Sequence, residues 1–182
     1  MEEHIQVTGT LFVLSNSTTS EIIENQCGLH LPVWNECLQV MITEPIDNFF
    51  LKRLVGHAHR TISLKAENEN RVMITGGWHG LWDESLCKGE IIQSSVDGNM
   101  AEAICLYPAL ENAIVSLVDC NHLETMSIDN VPIIDRIPGT SNAFFATGWS
   151  GHGWAIAPPI IHMLVEWEYS GKKPVLLQPF GL

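Results

Sequence analysis

The stretch "PGTSNAFFATGWSGHGWAIAPPIIHMLVEW", residues 138–167, holds the residues best suited to chemistry. An apolar strand runs into Gly148, Trp149, Ser150, Gly151, His152, Gly153 and Trp154, and an apolar helix opens directly behind them. A bend of this composition leaves backbone N–H groups uncovered at a helix N-terminus, where the aligned peptide dipoles favour an electron-rich group. Two indoles beside such amides read as a pocket wall. The same glycines also suit a tight strand-to-helix turn that needs positive φ and nothing more. A serine nucleophile is not expected, because His152 stands where Gly-x-Ser-x-Gly needs its second glycine. The dinucleotide spacing Gly-x-Gly-x-x-Gly occurs neither here nor elsewhere in the chain.

The remaining candidates are scattered. His57 and His59 stand two apart, on one face of an extended segment, but no third ligand joins them and no metal site is expected. Arg60 is a candidate to receive a substrate carboxylate, against ordinary solvation on a strand. Trp78 and His79 follow two glycines and are candidate walls of a substrate pocket. His162 lies within the apolar helix and is expected in the core.

The elements that must position these residues follow from periodicity. "VTGTLFVLSNS" reads as a strand whose apolar run at 11–14 suggests burial on both faces. "TSEIIENQCG" reads as a helix capped by Ser17, Thr18 or Thr19 and stopped by Gly28. Alternation over 33–42 predicts one long strand, and "HRTISLKA" and "NRVMITGGW" predict a hairpin turning at "ENEN". Residues 99–110 have helical spacing up to Pro108, and "AIVSLVDC" returns to strand. "IDNVPIIDRIPGTSN" reads as an irregular connection, followed by the short strand "AFFATGW". The last helix ends at Gly171, and Pro158 and Pro159 fit it if they lie in the first turn. Each end of the chain thus carries a strand and a helix, expected to share one layer, with a strand-rich middle inserted between them.

Composition excludes several functions. Nine Lys and Arg against 21 Asp and Glu, a formal charge of −12, disfavour nucleic acid and anionic membrane surfaces as partners. No apolar stretch approaches the roughly 20 residues of a membrane span, and "MEEHIQ" has no apolar run of a signal peptide. Five scattered cysteines without a C-x-x-C pair suggest free thiols, and the expected location is cytoplasmic.

Across nearly the whole chain, the sequence resembles the FAD-dependent D-amino-acid oxidase family, in its branch of glycine and sarcosine oxidases, D-amino-acid and opine dehydrogenases and hydrogen cyanide synthase subunits. The resemblance is carried by "NAFFATGWSGHGWAIAPPIIHMLVEWEYSGKKPVLLQPF", by "LPVWNECLQVMITEP", by "GHAHRTISLK" with "RVMITGGWHG", and by "SIDNVPIIDRIPG". It implies an α+β fold: an antiparallel substrate-domain sheet with flanking helices, plus strand–helix pieces of an incomplete FAD-binding, Rossmann-like layer. Residues 1–30 and 138–182 would belong to that layer and 31–137 to the substrate domain. It implies FAD as cofactor, its ring held by Gly148, Trp149, Ser150, Gly151, His152, Gly153 and Trp154, with Arg60, Trp78 and His79 toward the substrate. The implied activity is oxidation of amines or amino acids by hydride transfer to flavin. His152 is expected to act through its backbone.

The family's N-terminal phosphate-binding half is not in this sequence, so the resemblance is to the C-terminal half. FAD binding is expected only with a partner subunit carrying the dinucleotide half; a split enzyme, a truncated frame and a fragment all fit. The alternative is a non-catalytic, homo-oligomeric binding or assembly module descended from such an enzyme. Ser15-Asn16-Ser17 replaces a small Ala-Gly segment of relatives, Asn130 a glycine, and His122 and Leu123 are read at the place of an Arg-Pro pair.

Overall fold

The computed structural model describes residues 7–182; the "MEEHIQ" segment lies outside the described residues. The elements in chain order begin with β1 (Leu11–Val13), α1 (Thr19–Cys27), β2 (Val33–Cys37), β3 (Val40–Thr43), β4 (Val55–His57) and β5 (Arg60–Glu67). They continue with β6 (Arg71–Thr75), β7 (Leu81–Asp83), β8 (Lys88–Glu90), α2 (Gln93–Leu106) and β9 (Val115–Asp119). The chain closes with β10 (Leu123–Ser127), β11 (Ile133–Arg136), β12 (Ala143–Thr147) and α3 (Gly153–Ser170). The content is the α+β mixture expected. The described chain divides into two compact units, one of Glu36–Leu123 and one of residues 7–35 with Glu124–Leu182.

The second of these is built on a three-stranded sheet in the order β1-β12-β11. β1 runs parallel to β12, with Leu11 opposite Ala143, so the first and last strands do share a layer. β12 is buried at all five positions, as a central strand covered on both faces must be. Period-two alternation sends Phe144 and Ala146 into one cluster with Ile160, Leu164 and Trp167 of α3. Ala143 and Phe145 go into another, with Ile23 of α1. Phe144 stacks on Phe12 and meets Trp167 edge-on, with centroids 5.4 and 5.2 Å apart.

Both helices stop at the predicted glycines, Gly28 and Gly171, each left-handed and each donating its amide to the carbonyl four residues back. No hydroxyl caps α1; Thr18 holds the N-cap position, but its side chain bonds Ser15 instead. Pro158 and Pro159 are the sixth and seventh residues of α3, beyond its first turn. The carbonyls that lose their donors belong to Trp154 and Ala155, both exposed residues whose backbone water can reach. His162 is exposed, because the core stripe of α3 runs through Ile160, Leu164 and Trp167. The "IIDR" of the expected connection forms β11, antiparallel to β12.

The unit of Glu36–Leu123 carries a five-stranded sheet, β4-β5-β6-β3-β9, antiparallel at every pairing, with α2 against β5 and β6. The predicted hairpin is β5–β6, and its turn puts Glu69 and Asn70 at positive φ. The single long strand expected over 33–42 is interrupted between β2 and β3. There the buried Gln39 side chain accepts from the Ile92 amide at 2.6 Å and donates to its carbonyl at 3.3 Å. α2 starts at Gln93, six residues ahead of the first apolar spacing, because "QSSVDG" hides the helical period.

Candidate functional site

β12 delivers the chain into the glycine bend, which is buried from Gly148 through Ser150 and exposed at Gly151 and His152. Gly148, Ser150 and Gly151 all have positive φ, at 69°, 50° and 80°. Ser150 is not a glycine, and its strained backbone is held by its own side chain. Its Oγ accepts from the Ser127 amide at 3.1 Å, lies 3.2 Å from the Ser127 hydroxyl and donates to the Gly148 carbonyl at 3.2 Å. Its amide donates to the Thr125 carbonyl at 3.1 Å. Ser150 thus pins the bend to β10.

Behind the bend, Gly153 begins α3 in close contact with Trp149: a Cβ at Gly153 would lie 3.3 Å from the Trp149 Cβ and Cγ. That contact seats Trp149, 6% exposed, in the core beneath the helix, while Trp154 projects fully into solvent at 100% exposure. Between them opens a cleft of about 410 Å³. Its floor and walls come from Leu14, Trp149, Trp154, Ala157, Pro158 and Ile161, and its polar groups from Asn16, Glu124 and the bend.

The four amides at 151–154 do not share one fate. The Gly151 amide donates to Glu124 Oε1 at 2.9 Å, and the His152 amide to the Trp149 carbonyl at 2.9 Å. The α3 ladder begins with Ala155 and Ile156, both donating to the His152 carbonyl. Gly153 and Trp154 therefore stand ahead of the first intrahelical donor, Ala155, so their amides have no acceptor within the helix. Glu124 Oε2 accepts from Asn16 Nδ2 at 2.9 Å, and Asn16 Oδ1 accepts from the Thr125 amide at 3.1 Å. Asn16 and Glu124 were not read from the sequence as site residues.

The three residues assigned toward substrate lie in the other unit and are engaged there. Arg60 pairs with Glu102 at 2.6 Å, which lifts its guanidinium further above the ordinary value. Trp78 donates its indole N–H to the Thr61 carbonyl at 2.8 Å, and exposed His79 lies 3.4 Å from Glu36. His57 and His59 meet ring to ring at 6.1 Å on the surface. Among the described residues no group of three or more His, Cys, Asp or Glu is gathered for a metal ion.

The model of the FAD dependent oxidoreductase family matches residues 6–167. The chain belongs to that family. Among curated relatives, N-methyl-L-tryptophan oxidase of Salmonella arizonae is 30% identical over 103 residues, 52% of this chain and 28% of the relative. Its Salmonella heidelberg counterpart is 35% identical over 94 residues, 49% of this chain and 24% of that protein. Glycine oxidase from Geobacillus kaustophilus superposes with a TM-score of 0.71 at 18% identity, covering 87% of this chain and 41% of its own. Iminodiacetate oxidase from Chelativorans sp. BNC1 gives 0.73 at 16% identity, covering 97% and 46%. The chain thus spans under a third of the curated family members it matches and under half of these two structures. No helix among the described residues is long and apolar enough to cross a membrane.

Proposed function

We propose that these residues form the substrate-domain and flavin-capping part of an FAD-dependent oxidoreductase acting on amines or amino acids. The adenosine diphosphate half of the cofactor would be held by polypeptide outside the 182 residues. The observation that carries this reading is the cleft beside the glycine bend, with its apolar indole walls and the Gly153 and Trp154 amides.

The residues present fit an isoalloxazine ring. No heavy atom within 4 Å would meet a Cβ at Gly151, so the bend leaves open space for a flat ring. Gly153 and Trp154 would hold it through their amides at the positive end of α3, and Trp149 and Trp154 would wall it. When bound, the flavin supplies two-electron oxidation of a carbon–nitrogen bond. The chain's own part would be binding and orientation: apolar Leu14, Ala157, Pro158 and Ile161 line the cleft, and Ser150 fixes the bend. No nucleophilic side chain is required, and Ser150 is buried and committed to β10. The five cysteines are free thiols, which suits a reducing, cytoplasmic setting.

The test combines the chain with a dinucleotide-binding half taken from a family relative, plus FAD. A yellow complex that reduces a dye in the presence of an amine supports the reading; a colourless, inactive mixture refutes it. The alternative, an assembly module, draws support from an exposed apolar stripe along α3 at Trp154, Ile161, Val165 and Tyr169. It predicts a stable homo-oligomer without flavin in any pairing, and light scattering that finds a monomer argues against it.

A further inference from the structure

Of the ten residues lining the cleft, Glu124 alone is ionisable. Its carboxylate is held at both oxygens, by the Gly151 amide and by Asn16 Nδ2, 2.9 Å each. Both donors are neutral, and among the described residues no Lys, Arg or His forms an ion pair with it. The start of α3 contributes the equivalent of about half a positive charge, which one carboxylate outweighs. The polar end of the cleft is therefore net negative, and its walls are indole and aliphatic. Fixed negative charge beside aromatic faces is the chemistry that recognises an organic ammonium, and the chain's formal −12 adds a field of the same sign.

We propose that Glu124 is a specificity-determining residue: it binds the ammonium group of a cationic organic amine at the polar end of the cleft, where it meets Asn16 and the Gly151 amide, leaving the Trp149 and Trp154 walls to the flavin ring. It discriminates against ligands that bring a carboxylate to the same end. The inference rests on reading this cleft as the reacting end of the site proposed above, and it narrows the substrate class from amines or amino acids to amines without a neighbouring carboxylate. Each carboxylate oxygen still has lone-pair capacity after accepting one hydrogen bond, so an ammonium can join without displacing Asn16 or the bend.

Two probes of opposite charge test this on the wild-type chain, with Glu124→Gln as the comparison. 3-Methylbutylammonium and 4-methylpentanoate share one apolar body and differ in charge. Each is titrated while the Gly151 amide and the Trp154 indole N–H are followed by NMR. The cation is expected to bind at least tenfold more tightly than the anion, and Glu124→Gln is expected to bring the two within about twofold. Equal affinity, tighter binding of the anion, or no saturable shift with the cation overturns the proposal, as does a Glu124→Gln chain that keeps the full preference. A parallel titration with flavin mononucleotide separates the two readings. If the flavin moves the Gly153 and Trp154 amides and the ammonium moves nothing, the specificity proposal fails and the flavin site stands. If only the ammonium binds, the flavin reading fails.

Discussion

Ser150→Ala tests whether the bend is held in the way the geometry implies. The substitution removes the acceptor of the Ser127 amide at 3.1 Å, in a place where Ser127 is 1% and Ser150 7% exposed. A buried amide left without a partner costs about 1–3 kcal/mol. Alanine also keeps the strained φ of 50° that serine now offsets with its own hydrogen bonds. The expected loss is about 2 kcal/mol, which for a chain of this size lowers Tm by about 4–8 °C. Ser150→Gly loses the same bonds but relieves the left-handed strain, so it is expected to cost about 1 kcal/mol less than alanine. Thermal unfolding by circular dichroism reads both, and hydrogen exchange at the Ser127 amide should quicken in each. A Ser150→Ala chain unfolding within about 0.5 kcal/mol of wild type would refute the pinning role.

Gly153→Ala would force its methyl 3.3 Å from Trp149, so overpacking of about 1–3 kcal/mol should exceed any gain in helix propensity. Tm is expected to fall and the tryptophan emission to shift as Trp149 moves. Asn99 is 1% exposed, and among the described residues its side-chain nitrogen and oxygen have no partner. Asn99→Leu is accordingly expected to raise stability by about 1 kcal/mol in urea unfolding; a loss would reveal a water bridging that amide. Burial, with Cys120 close by, pushes the Cys37 thiol up from 9.0 to about 11. A raised acid in the folded state stabilises fully below the unfolded value and less as pH climbs through the folded one. Stability should therefore fall between pH 9.0 and about 11, and Cys37→Ala should flatten that fall in unfolding measured at stepped alkaline pH.

Local signals were legible where one element explains itself. The run "AFFAT" announced a short strand, glycines marked both helix ends, and "ENEN" marked the β5–β6 turn. The run at 11–14, expected to be buried on both faces, is instead an edge strand with Leu11 exposed and Phe12 and Val13 half-buried. The bend was legible too, because glycine and tryptophan composition encodes a turn and a wall. What escaped was whatever depends on distant pairing. β11 is only four residues long and follows a proline, so its strand character comes from β12 rather than from its own pattern. Glu124 reaches the Gly151 amide across 27 positions and Asn16 across 108, and no period in the sequence signals such a meeting. The sequence reading placed the family departure at His122 and Leu123. His122 is exposed beside Asp119, and the residue that enters the cleft is the next one, Glu124. Arg60 drew attention as a candidate to receive a substrate carboxylate, and its ion pair with Glu102 became visible only with α2 folded against β5.

The proposed flavin role requires the start of α3 to receive an isoalloxazine ring. The most direct measurement is an amide NMR titration of the chain with flavin mononucleotide, using ribose 5-phosphate as the control. The account predicts saturable shifts at the Gly153 and Trp154 amides and the Trp149 indole that the control does not produce. Shifts confined to other residues, or the same shifts with ribose 5-phosphate, would contradict it.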